Sequence, residues 1–476
     1  MKHDNTYLSA TELLALFRAG TIDPVDHLET VLATAQAQQA TVNCAAGIFA
    51  DAARERARES SRRWREGSAR ALEGVPVIIK EETPVAGWPR PVASLLFKDE
   101  VADENHPIVD KLLEAGAIPY FQATNPEFCV VGHTWSKLYG VTGNPWSLAH
   151  SCGGSSGGSG AALAAGVAPL ATGSDMAGSI RIPASLCGVY GYKPPFGRLP
   201  CGPGDEYFAQ AAEGPMTRSF DDLVLMQNVI AGPHPNCYAT LPFTPLPTEY
   251  GDLHGMRIAY SADLGHPALA ADVRRNLMHA LDGLRRRGAV VEEVDIRWDL
   301  ERVNQTLLDG LRAIFVDEFM SEIPQERVAE MCSYSQDLHA KAQQQRTSLM
   351  PSAALAQELH RDMQAKVWGQ GYSAFICATQ VTTDLPADQD PVAQPWLDVD
   401  GQRVEAYLGW ALTPAFNLLN RYPVLAAPTG LSDIGVPTGM QIVANAFDDE
   451  TVFRVAANHA RAGSSRLFVD QFPPAA

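Results

Sequence analysis

Apolar positions along this chain follow two different periods. Between residues 9 and 39 they recur three and four apart in two pieces. Leu13, Leu14, Leu16 and Phe17 form the first piece, and Val25, Leu28, Val31 and Leu32 the second, with a break around Gly20 and Pro24. This spacing predicts two amphipathic helices, the first opened by a Ser9/Glu12 capping box. An Arg- and Ala-rich helix with a solvated face is predicted over 51–64. The pattern then switches: Gly74-Val75-Pro76-Val77-Ile78-Ile79-Lys80 is a continuous apolar run rich in β-branched residues and ending in a cation. Such a run predicts a buried strand, with Lys80 at its mouth and Glu81 and Glu82 directly after it.

Helix and strand signals alternate from there. Helices are predicted over 106–116, 219–230 (capped by Ser219), 271–287 and 448–462. Strands are predicted over 117–121, 189–192, 256–260, 289–294, 422–427 and 439–444. The alternation points to an α/β sheet. Residues 300–370 read as polar and helical, a layer over the core, and 385–401 as a loop. The Pro-rich stretch 233–247 is the best candidate for a linker, and no internal repeat appears.

One stretch follows neither period. Between Ser151 and Gly160 nearly every residue is Gly or Ser; a small-residue helix start follows at Ala161–Ala165, then a second turn, Gly173-Ser174-Asp175-Met176-Ala177-Gly178-Ser179. Flexible linkers are not embedded between apolar runs, so two hydroxyl-bearing turns in this setting read as a site.

Composition narrows the function. The formal net charge is −18, from 37 Lys and Arg against 55 Asp and Glu, so the basic surplus of a nucleic-acid or anionic-membrane binder is missing. No run is long and apolar enough for a membrane span, and the first residues lack a signal-peptide pattern, so a cytoplasmic location is expected. Eight cysteines show no CxxC spacing; neither a zinc site nor a redox motif is indicated, and they read as reduced, mostly buried thiols.

Glycine motifs separate by their spacing. No GxxxxGK[ST] phosphate loop exists, and a GxGxxG pattern starting at Gly158 fails at Leu163. Gly154-Ser155-Ser156-Gly157-Gly158 satisfies the GxSxG elbow of α/β-hydrolases. That motif arises readily by chance in a Gly/Ser-rich segment, and the last histidine, His459, falls inside a predicted helix. Cys152 beside the loop has no evident His base and reads as a packed thiol; His133 and His150 read as ordinary core or surface histidines.

The whole stretch together with Lys80 resembles the amidase signature family. Further blocks carry the resemblance along most of the chain: Thr142-Gly143-Asn144-Pro145-Trp146, Gly214-Pro215-Met216-Thr217-Arg218, and Gly435 through Val443. The resemblance implies an α/β amidase signature fold: a mixed central β-sheet flanked on both faces by helices. It implies a single domain over 1–476, with a helical and loop insertion near 300–400 covering the site. Its Ser–cis-Ser–Lys triad falls on Ser179, Ser155 and Lys80. It places the oxyanion hole at the amides of Met176, Ala177, Gly178 and Ser179, with Ala177 standing where the family usually has Gly. Ser156, Asp175 and Arg181 are expected to support the two turns.

Chemistry asks for these residue types on its own account. A serine hydroxyl needs an adjacent base, and lysine is one only when neutral, so its ordinary pKa of about 10.4 must fall. Burial beside Ile78 and Ile79 would lower it; Glu81 and Glu82 would raise it unless they point away or are compensated. The plainer reading of Lys80, a salt bridge with one of them, is set aside only because of the two serine turns. The expected reaction is hydrolysis of a C–N bond in an apolar or aromatic amide or carbamate, with no metal or organic cofactor, by a monomer or homodimer. Stand-alone members of similar kind include aryl acylamidases, cyclic-amide hydrolases and urethanases. Two rivals remain: a glutamine-hydrolysing amidotransferase subunit needing a partner, and a catalytically silent binding protein. The first carries Asp-Gln-x-Gly-Pro where this chain has Ala211-Ala212-Glu213 before Gly214; the second expects a missing triad residue, and none is missing.

Overall fold

The structure is a computed structural model and describes residues 5–202, 206, 208–319, 323–344, 350–463 and 465–475. Among the described residues, its centre is one mixed sheet of eleven strands. In chain order these are β1 (Ala45–Ile48), β2 (Pro76–Lys80), β3 (Ile118–Ala123), β4 (Leu170–Asp175), β5 (Tyr190–Lys193), β6 (Ala212–Thr217), β7 (Arg257–Tyr260), β8 (Val290–Glu293), β9 (Ala374–Ala378), β10 (Val424–Leu431) and β11 (Pro437–Ala444). Across the sheet they run β1-β3-β2-β4-β6-β5-β10-β11-β9-β7-β8. β2 is parallel to β3 and β4, and β7 to β8 and β9; the other pairs are antiparallel.

The continuous apolar run of β2 is explained by cover on both faces. Successive side chains of a strand point to opposite sides. Ile78 packs with Leu28, Val31, Ala57 and Ala161, from helices Pro24–Gln39, Ala50–Glu66 and Gly157–Ala164. Val77 and Ile79 pack on the other side with Ile108, Leu112, Met226 and Ile230, from helices Pro107–Glu114 and Phe220–Ile230.

Most predicted elements are present within a few residues of their expected bounds. The Ser9/Glu12 capping box forms reciprocally: Glu12 N donates to Ser9 Oγ (3.1 Å) and Ser9 N to Glu12 Oε2 (2.8 Å). Two expectations need correction. The small-residue helix begins at Gly157, ahead of Ala161. The loop expected over 385–401 ends in a hairpin, Trp396–Val399 paired with Gln402–Glu405. Asp400 and Gly401 make its two-residue turn at φ 51° and 81°, the Asp-Gly chemistry that such turns favour.

The Pro-rich stretch 233–247 joins strands of the same sheet and packs back on it. Leu246 is buried and exchanges two hydrogen bonds with the Asn228 side chain. Residues 300–366 contribute helices Leu300–Glu318, Ser333–Gln344 and Met350–Lys366. Phe315, Met331 and Tyr334 of this layer pack against Phe128, Val130 and Val131 beside the glycine-rich loop. Among the described residues, no helix is long and apolar enough to cross a membrane.

Candidate active site

The two Gly/Ser turns and the end of β2 meet at one point. Lys80 is the last residue of β2, and its backbone N–H donates to Thr172 Oγ1 on β4 (3.0 Å). Its side chain has no exposure, and Nζ reaches Ser155 Oγ at 2.7 Å, Ser174 Oγ at 2.7 Å and Glu82 Oε1 at 2.8 Å. An ammonium group has three N–H bonds, so three acceptors satisfy it.

Ser155 follows a cis Gly154–Ser155 peptide and sits just ahead of the helix Gly157–Ala164. Close backbone approach explains the small residues there: a Cβ on Gly158 would stand 2.4 Å from the Thr124 carbonyl oxygen. Ser156 ties the two turns together. Its Oγ exchanges 3.3 Å hydrogen bonds with the Ser174 main chain, and its N–H donates to the Ser179 carbonyl at 3.1 Å.

The second turn lies between β4 and the helix Arg181–Cys187. Asp175 and Arg181, both fully buried, hold it. Arg181 Nε and Nη2 donate to the Asp175 carboxylate, each at 2.9 Å. The rest of the guanidinium is spent on Thr413 O (3.0 Å), Gln441 Oε1 (2.5 Å) and Asn417 Oδ1 (2.6 Å). Burial works against the Asp175 charge, but Arg181 and Asn417 outweigh it and hold the carboxyl at about 2. Asp175 also accepts the Gly178 amide at 2.8 Å. That amide, one of the four expected to face a carbonyl oxygen, is therefore already committed. Gly178 must be glycine: φ is 119°, and a Cβ would lie 2.0 Å from Thr413 Oγ1.

Ser179 is half-buried and opens onto a cavity of ≈ 660 Å³ whose floor also carries Ser155, Ser174, Glu82, Cys129 and Met176. Phe97, Phe128, Leu311, Ile314 and Phe319 give it an apolar wall, the last three from the helical layer. A small apolar recess adjoins Ser179 and includes Ala177, Val131, Ile182, Leu307 and Leu408. Cys152 is buried at the glycine-rich loop, its thiol pushed up to about 12 by burial. His133 is buried and depressed to about 4 by desolvation, and His150 bonds Ser147 Oγ at 2.7 Å. His459 lies in the helix Asp449–Ala462, where Nε2 faces the Pro428 carbonyl at 2.8 Å.

Of the two carboxylates after Lys80 only Glu81 turns away, and the salt bridge set aside in the sequence reading is formed with Glu82 at 2.8 Å. Glu81 N–H still pairs with Ala123 O, so the alternation of the strand continues past its end. Glu81 is thereby sent to the opposite side, near Asn125 and Val92, while Glu82 returns to the side of Lys80. Burial pulls Lys80 down, but Cys129, Glu82 and Glu213 pull it up, and it stands above the ordinary lysine value. Burial and Glu82 also keep the Cys129 thiol protonated, so Glu82, in direct contact at 2.8 Å, is the nearest charge that holds Lys80 as ammonium, with Glu213 adding to it. Glu82 in turn is depressed: burial opposes its charge, but Lys80 and hydrogen bonds from Cys129 and Ser174 prevail. Ser174 lies in the second Gly/Ser turn and Glu82 beside Lys80, but the sequence assigns neither a role in the site.

Glu81 is buried without exposure, and burial raises its carboxyl to about 8. In the unfolded chain it ionises near 4.5, so folding loses stability as pH climbs from there towards 8. Glu81→Gln should therefore raise the melting temperature more at pH 8 than at pH 5, measured by thermal denaturation at both.

A broad mixed α/β sheet, with paired serine hydroxyls and a buried lysine gathered at its strand ends, places this chain among the amide-cleaving enzymes. The Amidase family model matches residues 26–453, and the chain belongs to the amidase signature family. It is similar to the acylamidase of Rhodococcus erythropolis, with 32% identity over 464 residues, covering 95% of this chain and 94% of that one. It is also similar to a glutamyl-tRNA(Gln) amidotransferase subunit of Chloroflexus aurantiacus, at 30% identity with 96% of each chain covered. Among solved structures, a bacterial aryl acylamidase of the amidase signature family superposes with a TM-score of 0.88 over 96% of each chain, at 24% identity.

Proposed function

We propose that this protein is a stand-alone amidohydrolase, one domain over 1–476. It cleaves the C–N bond of a small apolar or aromatic amide or carbamate through an acyl-enzyme on Ser179. The observation that carries this reading is the 2.7 Å contact of Lys80 Nζ with Ser155 Oγ at the floor of the cavity into which Ser179 opens. With Lys80 neutral, Ser155 passes its proton to Nζ and takes the proton of Ser179, whose Oγ attacks the carbonyl carbon. The amides of Met176, Ala177 and Ser179 receive the oxyanion, the Gly178 amide remaining with Asp175. The proton on Nζ returns through Ser155 to the leaving nitrogen, and water then attacks the acyl-enzyme by the same relay.

The pocket supports an uncharged substrate with an apolar body. Its aromatic and aliphatic wall suits a ring, and the recess beside Ala177 suits a short apolar group on the other side of the carbonyl. The lining carries exposed Glu100, Asp103 and Glu104, and Glu213 deeper near Lys80, against Arg90, with His106 depressed to about 3 by burial, so anionic substrates are repelled. The acylamidase relative favours an acyl amide as the first compound to try.

The deciding assay is amine or ammonia release from acetanilides, primary amides, aryl carbamates and glutamine. Release from an anilide or carbamate by the purified chain is expected. Turnover of glutamine only in the presence of a partner subunit would replace this reading with that of an amidotransferase component. Glu82 adds a pH signature. Its carboxylate favours the ammonium form of Lys80, so activity should rise with pH along an alkaline limb. Glu82→Gln removes that charge, and the limb of kcat/KM should move to lower pH by about one unit or more; an unmoved limb would refute the assignment.

A further inference from the structure

Spacing along the chain gives no cysteine pair, yet the fold makes one. Cys201 and Cys237, 36 positions apart, bring their Sγ atoms to 3.0 Å. Cys201 is half-exposed and lines the cavity, in the wall segment 194–202. Cys237 is buried, in the turn that leads to Ala239 on the same wall. These two segments are otherwise joined by the Leu241 amide on the Gly197 carbonyl (2.7 Å) and by the Gly232 amide on the Arg198 carbonyl (3.0 Å).

We propose that Cys201 and Cys237 form an oxidisable dithiol, and that their disulfide clamps the cavity wall against bulky substrates. The inference rests on the cavity assigned under the proposed function, but its covalent part does not. The oxidant class is a low-molecular-weight disulfide such as glutathione disulfide. The sulfur of half-exposed Cys201 attacks one sulfur of the oxidant, breaking its S–S bond and releasing one thiol. The Cys237 sulfur then attacks Cys201 in the mixed disulfide, forming the Cys201–Cys237 bond and releasing the second thiol. Each released thiol takes up one of the two protons lost by the cysteines, so the protein is oxidised by two electrons and the oxidant reduced by two. Cys237 suits the resolving step. Burial opposes its ionisation, but hydrogen bonds from Cys201, Thr240 and nearby backbone outweigh it and lower the thiol below its ordinary value.

A metal is the competing use of these groups, since the donor atoms of Cys201, Glu206 and Cys237 lie within 4.8 Å of one another. Two thiolates on one tetrahedral zinc ion stand about 3.7 Å apart, from Zn–S bonds of about 2.3 Å. The two sulfurs stand 3.0 Å apart, inside that spacing and outside the about 2.05 Å of an S–S bond, so a small approach closes the disulfide, and peptide mapping separates it from a metal site.

The test is to incubate the full chain with glutathione disulfide, alkylate the remaining thiols and map the tryptic peptides. Peptides 199–218 and 219–257 should appear linked, with two of the eight thiols lost. Oxidation should lower kcat/KM for a bulky anilide relative to acetanilide by about twofold or more, reversed by dithiothreitol. Cys237→Ser should show neither the link nor the shift. An unlinked pair, a stable mixed disulfide on Cys201, a link between two chains, or zinc retained stoichiometrically by both thiols would overturn the proposal. So would a clean disulfide that leaves the substrate ratio unmoved. If neither anilide is turned over, the peptide map still decides the covalent step, and only the proposed function fails.

Discussion

Ser179→Ala is expected to lower kcat on an anilide or carbamate by about 10⁴-fold or more while the chain still melts cooperatively near its original temperature. Ser179 is half-buried at the cavity floor, so loss of one hydroxyl removes the attacking atom and little packing. The comparison with Lys80→Met and Ser155→Ala makes the test sharp. Groups that relay one proton act as a unit, so combining the substitutions should cost little more than the worst single one. Lys80→Met differs in stability, because it leaves Glu82 in place without its ammonium partner. Rate measurements on the single, double and triple variants check this. Near-normal turnover by Ser179→Ala would remove the nucleophile assignment.

The second large effect is on folding. Arg181→Met should destabilise the protein by about 3–5 kcal/mol, since it strands the buried Asp175 carboxylate without its partner. The pH dependence separates this from a general packing defect. In the parent, the Asp175 carboxyl at about 2 stands below its unfolded value of 3.8. Its contribution is present above the unfolded value and is lost as pH falls through the folded one. Without Arg181 burial dominates, the carboxyl titrates higher, and the variant should regain stability relative to the parent on acidification from pH 7 to 5. Chemical denaturation at the two values reads the sign. Asp175→Asn combined with Arg181→Met should be milder than Arg181→Met alone, because no buried charge is left.

Legibility in the sequence differs by the kind of signal a residue carries. β2 announces itself through its apolar run, and Lys80 as the cation at its end. Ser155 and Ser179 are marked by Gly/Ser turns that few other structures need. β4 and β6 are not legible: Leu-Ala-Thr-Gly-Ser-Asp and Ala-Glu-Gly-Pro-Met-Thr carry one β-branched residue each and no aromatic against Gly, Pro, Ser and Asp, and neighbours on both sides hold them extended. β9 is five apolar residues beside a long helical stretch, too short for periodicity to separate. The Asp400-Gly401 hairpin is legible in principle, since Asp-Gly is a strong turn signal; the surrounding Pro-rich composition masks it. Glu82 could be placed by counting two residues on from Lys80 along an extended chain. Thr413, Asn417 and Gln441 could not, because nothing local marks them as acceptors for a distant arginine.

That distance has a consequence for how the enzyme comes into being. Every group that performs the proposed chemistry is translated by residue 179, yet Arg181 finds its outside acceptors 232, 236 and 260 positions later. A nascent chain emerging from the ribosome carries nucleophile, relay and base long before the parts that fix the turn around them. Contacts of such long sequence separation form late, after loop closure over most of the chain. The protein is thus made with its reactive groups unassembled, and the last strands to be synthesised complete the site.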